Sequence, residues 1–308
     1  MIKLGFAILS YDQPKRLLRL VSTLNKMFDA PSIACHHNFD QCPLDTAQFP
    51  TNIEFIRPHI DTRWADISTS MAALKTLGHL AENSQADWFF LLSGSDYPVN
   101  NAAEIIRDLS ITDYDAFLDH REISFGELQP GQTAPHGFRR PDWVDEARRR
   151  YWPLRFWLPY LSLKRLFSGS FPFAKAGFAL EGKRLLPLLD RLGFYRPARI
   201  YGGDFWFQAN RKAISRLIDP ALKPVWRYYS TKSLPEEAAF HTALGNIPDL
   251  RLCGDNKRYT DWSAGGPHPK WLEAADVPRI VASGAHFARK FLPDGAAQDF
   301  IDETVLRL

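Results

Sequence analysis

The sequence has few of the residues that mark disulfide-bonded, zinc-binding or membrane-spanning proteins. Its three cysteines, Cys35, Cys42 and Cys253, cannot all pair with one another, and their spacing matches no common zinc site. The first apolar run, residues 2–9, is too short to span a bilayer and leads into no signal-peptide cleavage pattern. We therefore expect a cytoplasmic protein in a reducing compartment, and peripheral contact with the inner membrane face stays open.

The sequence also lacks a large excess of positive or negative charge. The formal net charge is only +3 over 308 residues, which gives no argument for nucleic acid as a partner, although a local basic cluster can still bind phosphate. The chain is 45% hydrophobic and 24% charged, which is ordinary for a globular protein and excludes extended disorder. One large domain, or two closely packed lobes, is expected.

Apolar runs alternate with segments that have leucines at helical spacing. The runs at residues 2–9, 32–35, 53–56 and 87–92 predict strands. Residues 14–27 and 67–81 predict amphipathic helices between them, and a further helix is expected at 209–217. This order predicts an α/β fold in which helices flank a mostly parallel central sheet.

Polar clusters follow three of the predicted strands, at residues 10–12, 36–40 and 93–96. In parallel sheets of this class, ligands bind outside the carboxyl ends of the strands. A nucleotide-type ligand at this edge is therefore one interpretation. The other is that Ser, Gly, Asp and Pro simply form the turns that leave each strand.

Two more stretches allow both a functional and a structural interpretation. Asp113 and Asp115 form a D-x-D pair that could hold a divalent cation, but they precede a predicted strand and fit a loop equally. Residues 145–172 interleave arginines with aromatic side chains, and prolines at 153 and 159 interrupt any long helix. That stretch suits an acceptor platform or a membrane surface, or a loop whose aromatics pack on the core.

The segment STKSLPEEAAFHTAL, residues 230–244, contains the strongest candidate for a catalytic carboxylate. Pro235 at a first helical position, after a possible Ser233 cap, predicts a helix start there. Glu236 and Glu237 fall in the first turn, where a carboxylate is favoured by the helix dipole even without any catalytic role. A general base and a structural helix start are both consistent with this pattern.

Several motifs occur together in the order that one enzyme family uses. SGSDYPV from Ser93 resembles LSG-x-D-x-P, GGDFWFQANR from Gly202 resembles GSQWW-x-L-x-R, and LPEEAAFHTAL resembles PDE-x-FFQT. RYTDW from Arg258 and HFARKF from His286 resemble RYIDW and LFARKF. The sequence thus resembles the core-2/I-branching β-1,6-N-acetylglucosaminyltransferases (glycosyltransferase family 14), which include peptide O-xylosyltransferases and plant glucuronosyltransferases.

The resemblance implies a GT-A-like catalytic domain over residues 1–308, with a nucleotide-binding half at 1–120 and an acceptor and catalytic half at 121–308. It implies an inverting transfer of a sugar, such as N-acetylglucosamine or xylose, from a UDP-sugar to a glycan or glycolipid, with no metal and no other cofactor. Animal members have a membrane anchor and several disulfides. This sequence shows neither feature, so we expect a bacterial-type member that builds a surface glycan.

The resemblance also implies the roles of particular residues. Glu237 aligns with the final glutamate of the family's PDE and would be the general base. The expected diphosphate contacts are Lys290, Arg289 and Arg258. The expected contacts to the donor nucleotide or sugar are His37, Asp40, Trp64 and Asp96, although Ala65 and Asp66 replace a glycine-rich pair beside Trp64. The expected acceptor contacts are Asp204, Phe205, Trp206 and Glu236.

Two other functions remain open at the level of sequence. One is a non-catalytic protein of the same fold that binds carbohydrate or a membrane surface through its aromatic and basic stretch. The other is a metal-dependent glycosyltransferase that uses Asp113 and Asp115.

Overall fold

A seven-stranded sheet forms the centre of the structure, a computed structural model that describes residues 2–122, 197–230, 232, 234–264, 268–293 and 295–307. Its strand order is β10-β6-β9-β4-β1-β2-β3. The strands are β1 (Leu4–Ser10), β2 (Ser32–His37), β3 (Ile53–Phe55), β4 (Trp88–Ser93), β6 (Ala116–Phe117), β9 (Gln208–Asn210) and β10 (Leu252–Cys253). Only β9 runs antiparallel to its neighbours, so the mostly parallel sheet predicted from the sequence is confirmed.

The central strands are apolar throughout because both of their faces are buried. Successive side chains of a strand point to opposite faces, and in β1 Phe6 and Ile8 join one hydrophobic cluster while Ala7 joins the other. In β4, Phe89 packs in one cluster and Phe90 in the other. The sheet thus separates two cores, one containing buried residues of helix α1 (Pro14–Phe28) and the other those of α2 (Ile67–Asn83).

Local sequence signals explain where the helices begin. Pro14 occupies the first turn of α1, and the Asp66 side chain caps α2 by accepting a hydrogen bond from the Ser68 N–H over 2.8 Å. The predicted helices at 14–27 and 67–81 are therefore confirmed, each slightly longer than expected. The other α-helices within the described residues are α3 (Ala102–Ile111), α4 (Arg211–Leu217), α5 (Lys223–Tyr229), α6 (Ala239–Gly245), α7 (Val277–Ala282) and α8 (Ala296–Ile301).

The helix predicted at 209–217 begins two residues later than expected. Gln208–Asn210 forms β9 instead, which inserts between β4 and β6. Asn210 ends this strand and caps α4, because its side-chain oxygen accepts a hydrogen bond from the Ala213 N–H over 3.0 Å. A strand from the second half of the chain thus completes the same sheet as strands from the first half.

A small three-stranded sheet stands beside the main one and has the order β11-β12-β5. Its strands are β5 (Tyr97–Pro98), β11 (Arg258–Thr260) and β12 (Phe287–Arg289), and a separate pair joins β7 (Arg121–Glu122) to β8 (Tyr201–Gly202). Within the described ranges, no helix combines the length and the apolar character needed to cross a bilayer. The predicted aromatic and basic stretch at 145–172 and the predicted Ser233 cap lie outside the described residues.

Candidate active site

The main sheet has a switch point between β1 and β4. From β1 the chain order continues to β2 on one side, whereas β4 lies on the other side, so the loops that leave β1 and β4 diverge. The Gly94 N–H, just after β4, donates to Leu9 O of β1 over 2.8 Å, and the Asn38 N–H, just after β2, donates to Ser10 O of β1 over 2.8 Å. This is the edge at which the sequence predicts a ligand.

The SGSDYP turn after β4 is built around the carboxylate of Asp96. The Ser93 N–H donates to Asp96 Oδ2 over 3.0 Å, and the Ser93 hydroxyl donates to Oδ1 over 2.7 Å. The Asp96 side chain is fully buried. Its predicted direct contact with the donor therefore does not fit this placement, because protein groups surround both carboxylate oxygens.

Two arginines from the small sheet meet on this carboxylate. Arg258 Nη1 lies 2.6 Å from Asp96 Oδ2, and Arg289 Nε lies 3.0 Å from Asp96 Oδ1. The strand register explains the meeting: β12 pairs with β11, which begins at Arg258, and with β5, which begins directly after Asp96. Three motifs that are far apart in sequence therefore converge at one point.

The two arginines differ in their access to the surface. The Arg258 side chain is only 2% exposed, donates to Leu91 O over 3.2 Å, and has its pKa lowered by burial despite the nearby Asp96. Arg289 is 12% exposed. The prediction that Arg258 touches the diphosphate directly does not fit its burial, whereas Arg289 stands nearer the surface.

Lys290 follows Arg289 in the chain, and together with Arg258 these residues form what we call the cationic cluster. Lys290 is half-buried, and burial together with the charge of Arg289 lowers its pKa. Among the described residues, no carboxylate lies within ion-pair distance of its ammonium group, which stands 5.9 Å from the Trp271 ring. An ammonium in this position is suited to an anionic ligand.

The loop with the candidate base forms one 3₁₀ turn, Pro235–Glu237, followed after Ala238 by α6. Pro235 occupies the first turn, as predicted, although the helix begins afresh at Ala239. Glu236 and Glu237 are both partly exposed. Their role as base and acceptor contact stays a prediction.

Gly203 fixes this turn against β8. Its N–H donates to the Glu237 carbonyl oxygen over 2.9 Å. A Cβ atom at position 203 would stand 1.7 Å from the Asp119 carbonyl oxygen, so only glycine fits. His241 of α6 makes a second connection, because its Nε2 lies 2.9 Å from the Asp204 carbonyl oxygen.

A series of hydrogen bonds connects this turn to the cationic cluster. The Asp204 N–H donates to Asp119 Oδ2 over 3.1 Å, and the Asn256 amide donates to Asp204 Oδ2 over 3.4 Å. The Arg258 N–H donates in turn to Asn256 Oδ1 over 3.1 Å. Asp119 and Asn256 were not predicted, and only the fold brings them to Asp204. Asp204 is partly exposed, as an acceptor contact requires.

The aromatic pair at 205 and 206 is more buried than expected for side chains that contact an acceptor sugar. Phe205 is 5% exposed and stacks on Phe240 with ring centroids 5.6 Å apart, so its described contacts are those of a core residue. Trp206 is 8% exposed, and its ring faces the Arg289 guanidinium at 4.7 Å. The aromatic motif therefore reaches the cationic cluster through Trp206.

The donor contacts predicted after β2 and β3 differ in exposure. His37 is fully buried, with Nδ1 3.2 Å from Ser10 Oγ and Nε2 2.7 Å from Cys42 O, and burial lowers its pKa. Asp40 is exposed and pairs with His59 over 3.0 Å. Trp64 is 75% exposed. Asp40 and Trp64 can reach a ligand directly, whereas His37 supports the loop.

The D-x-D pair stands at the opposite edge of the sheet. It precedes β6, which runs parallel to β4, so the pair lies at the amino end of the strand. Asp115 accepts hydrogen bonds from Arg251 N–H and from the Asn210 amide, and Asp113 pairs with Arg251 over 3.2 Å. These contacts give the pair a structural role away from the cationic cluster.

Comparison with known proteins gives one family. The family model described as Core-2/I-Branching enzyme matches residues 6–140 and 187–282, well over half of the chain. The matched ranges include the β4 turn, the Pro235 loop and β11.

Two kinds of glycosyltransferase are found among the relatives. β-Glucuronosyltransferase GlcAT14A of Arabidopsis thaliana is 26% identical over 234 residues, which is 74% of this chain and 44% of the relative. Xylosyltransferase 1 of Canis lupus familiaris is 26% identical over 208 residues, 66% of this chain and 18% of the relative. The aligned part thus spans less than half the length of either relative.

Proposed function

Because the chain belongs to the core-2/I-branching enzyme family, we propose that it is a glycosyltransferase that moves a sugar from a UDP-sugar to a hydroxyl group of a glycan or glycolipid. The α/β fold, with its mostly parallel sheet, agrees with the GT-A-like fold expected for such an enzyme. The donor would bind at the carboxyl ends of β1 and β4, where the two loops diverge.

The observation that carries this proposal is the cationic cluster at that edge. Arg289 and Lys290 are adjacent in the chain, and Asp96, the one carboxylate within the described ranges that pairs with Arg289, is also paired with the buried Arg258. The cluster therefore keeps positive charge toward the surface. A UDP leaving group develops negative charge on its diphosphate as the sugar departs, and fixed cations at that position stabilise the transition state.

Glu237 would act as the general base of a single displacement. Its carboxylate removes the proton from the acceptor hydroxyl while the hydroxyl oxygen attacks the anomeric carbon from the face opposite UDP. The bond from that carbon to the diphosphate oxygen breaks, and UDP departs with the electron pair. The configuration at the anomeric carbon is thereby inverted. The turn that holds Glu237 is bonded to Gly203, beside the partly exposed Asp204, which would hydrogen-bond the acceptor sugar.

We further propose that Arg289 and Lys290 take the place of a divalent cation. The D-x-D carboxylates are bonded to Arg251, Asn210 and Lys212 at the amino edge of the sheet, away from the cluster. A metal-dependent enzyme that used this pair would need both carboxylates released from those partners.

The donor sugar is open among the classes that the family uses. The relatives are named as a glucuronosyltransferase and a xylosyltransferase, so UDP-glucuronic acid and UDP-xylose are the first donors to test, followed by UDP-N-acetylglucosamine. The test combines calorimetric titration of each UDP-sugar with an assay of UDP release in EDTA. Binding plus acceptor-dependent UDP release supports the proposal. Glycan binding without any nucleotide binding would favour a non-catalytic carbohydrate-binding protein.

A further inference from the structure

We propose that Asp96 and Trp206 are positioning residues that clamp the Arg289 guanidinium between a carboxylate and an indole face, so that its remaining N–H groups point toward the diphosphate of the donor. The inference rests on the proposed function, because it assumes a UDP-sugar at the cationic cluster. It gives both residues a different role from the direct contacts expected from the sequence.

The contacts on Arg289 define the clamp. Its Nε lies 3.0 Å from Asp96 Oδ1, and its Cζ lies 4.7 Å from the centre of the Trp206 ring. Asp96 uses only the Nε edge of the guanidinium, and the indole covers a face. In the part of the chain that the structure describes, neither Nη group forms an ion pair with another carboxylate. A guanidinium fixed in this way presents a planar pair of donors, which matches phosphate oxygens.

Both clamp residues are themselves rigid. The Asp96 carboxylate is fully buried and accepts hydrogen bonds from the Ser93 N–H and hydroxyl. Trp206 is buried beside Phe205, with ring centroids 4.9 Å apart, and its carbonyl oxygen accepts a hydrogen bond from the Asn256 amide over 3.2 Å. The clamp therefore holds Arg289 before any ligand binds, which removes part of the entropy cost of ordering a long side chain.

Arg258 compensates the negative charge that Asp96 brings to the clamp. A lone carboxylate on Arg289 would neutralise the charge that the diphosphate needs, and a buried carboxylate without compensation is costly. Arg258 pairs with the other oxygen of Asp96 over 2.6 Å from the buried side. The triad of Arg258, Asp96 and Arg289 therefore has a net charge of one positive unit, and Arg289 is its member nearest the surface.

The clamp also explains why an arginine stands at position 289. An ammonium group has no planar face to lie on an indole and no fork to share between a carboxylate and a phosphate. Trp206 comes from the loop between β8 and β9, whereas Arg289 ends β12. The aromatic motif and the basic motif, which are far apart in the sequence, would thus form a single functional unit.

The experiment measures UDP affinity by isothermal titration calorimetry for the full chain and its variants. Arg289→Ala should weaken UDP binding by about a hundredfold, and Trp206→Leu by about tenfold, because the guanidinium is no longer held in plane. Trp206→Phe keeps an aromatic face and should stay within about threefold of the wild type. In the Arg289→Ala background, Trp206→Leu should add less than about twofold, since nothing remains to be clamped.

Two further variants test the clamp by charge. Arg289→Lys keeps the charge and loses the planar fork, so it should weaken binding by about tenfold or more. Asp96→Asn removes a negative charge near the bound anion, so simple electrostatics predicts tighter UDP binding, whereas loss of the clamp predicts weaker binding. If Trp206→Leu does not fold, these two variants still test whether the clamp holds Arg289.

Trp226→Leu is the matched control, because Trp226 is an equally buried tryptophan that packs on Phe240. It should lower the melting temperature without changing UDP affinity. The clamp would be overturned if Trp206→Leu lost the same factor in UDP affinity with and without Arg289. It would also be overturned if Arg289→Lys kept wild-type UDP affinity, or if Asp96→Asn bound UDP more tightly. Each of these results would leave the proposed function intact. A wild-type protein that binds no UDP at all would overturn the proposed function itself, and the clamp with it.

Discussion

The Gly203 N–H donates to the carbonyl oxygen of Glu237 over 2.9 Å, and this bond ties the turn that contains the candidate base to the end of β8. The same strand end leads into Asp204 and Trp206, and Trp206 contacts Arg289. The acceptor side and the donor side of the proposed site are therefore joined through one short segment. A change at Gly203 should affect both.

Gly203→Ala should lower both stability and activity. The added Cβ would stand 1.7 Å from the Asp119 carbonyl oxygen, so β8 or the Asp119 loop must move, and the Glu237 turn moves with it. We expect a loss of about 2 kcal/mol or more in the free energy of unfolding, measured by urea denaturation.

Gly254→Ala is the control for this change, because a Cβ there meets nothing within 4 Å. It should stay within about 0.5 kcal/mol of the wild type and keep full activity. Equal stability of the two variants would show that the close approach at Gly203 is not a constraint.

UDP affinity should fall at alkaline pH through the titration of Lys290. Burial and the neighbouring Arg289 lower the pKa of this lysine, and the ammonium is charged only below its pKa. The positive charge is therefore lost at a lower pH than for an ordinary lysine. Calorimetry across the alkaline range should show weaker UDP binding as the pH rises. Lys290→Arg should remove this dependence, and an unchanged profile in that variant would assign the titration to another group.

His286 should make the protein less stable in acid. Its ring is fully buried between Gln208 and Asp108, and burial lowers its pKa from 6.5 to about 4. Between these two pH values the unfolded chain binds a proton that the folded chain does not, so the free energy of unfolding decreases as the pH falls from 6.5 to about 4 and this contribution levels off below.

Urea denaturation at several pH values measures this effect. His286→Gln should flatten the slope between pH 6.5 and about 4 relative to the wild type. The same slope in His286→Gln and the wild type would mean that His286 is not the group that titrates.

Asp113→Asn should leave sugar transfer unchanged, with or without EDTA. Asp113 is an exposed partner of Arg251 at the amino edge of the sheet, and loss of such a surface ion pair costs at most about 1 kcal/mol of stability. The measurement is UDP release under chelation. Activity that disappears with EDTA and returns with manganese in the wild type but not in this variant would restore the metal-dependent alternative.

Local patterns in the sequence were sufficient to predict most of the framework. The apolar runs that become β1 and β4 are buried on both faces, and the leucine spacing of α1 places Leu17 and Leu20 in the core. The fold class follows from their alternation with helices. The strand at Gln208–Asn210 was not predicted, because three residues give too short a pattern and the following helix masks it.

The candidate site was predictable as a set of motifs and not as a geometry. The Pro235 turn and the Asp96 turn were found from their residue types, and the FARKF segment was found from its resemblance to a family motif. Their mutual arrangement depends on the pairing of β5, β11 and β12, which are two or three residues long and have no sequence signal. The direct ligand contacts expected of Asp96 and Arg258 do not fit the burial that this pairing imposes, and Phe205 is buried against Phe240 of α6.

The residues that connect the motifs were missed for the same reason. Asn256 and Asp119 are ordinary polar residues of loops, and their hydrogen bonds to Asp204 join positions that are distant in the chain. Only the Gly-Gly pair at 202 and 203 gave a local hint, since a glycine often marks a close approach of two backbone segments.

The most direct test of the account compares Glu237→Gln with Glu236→Gln in an assay of sugar transfer with a saturating UDP-sugar in EDTA. Glu237→Gln should lower kcat by about a hundredfold to ten-thousandfold, because the acceptor hydroxyl loses its proton acceptor, while UDP affinity stays within about twofold. Glu236→Gln should cause a smaller loss. Wild-type turnover in Glu237→Gln, or turnover abolished only in Glu236→Gln, would contradict the assignment of Glu237 as the base.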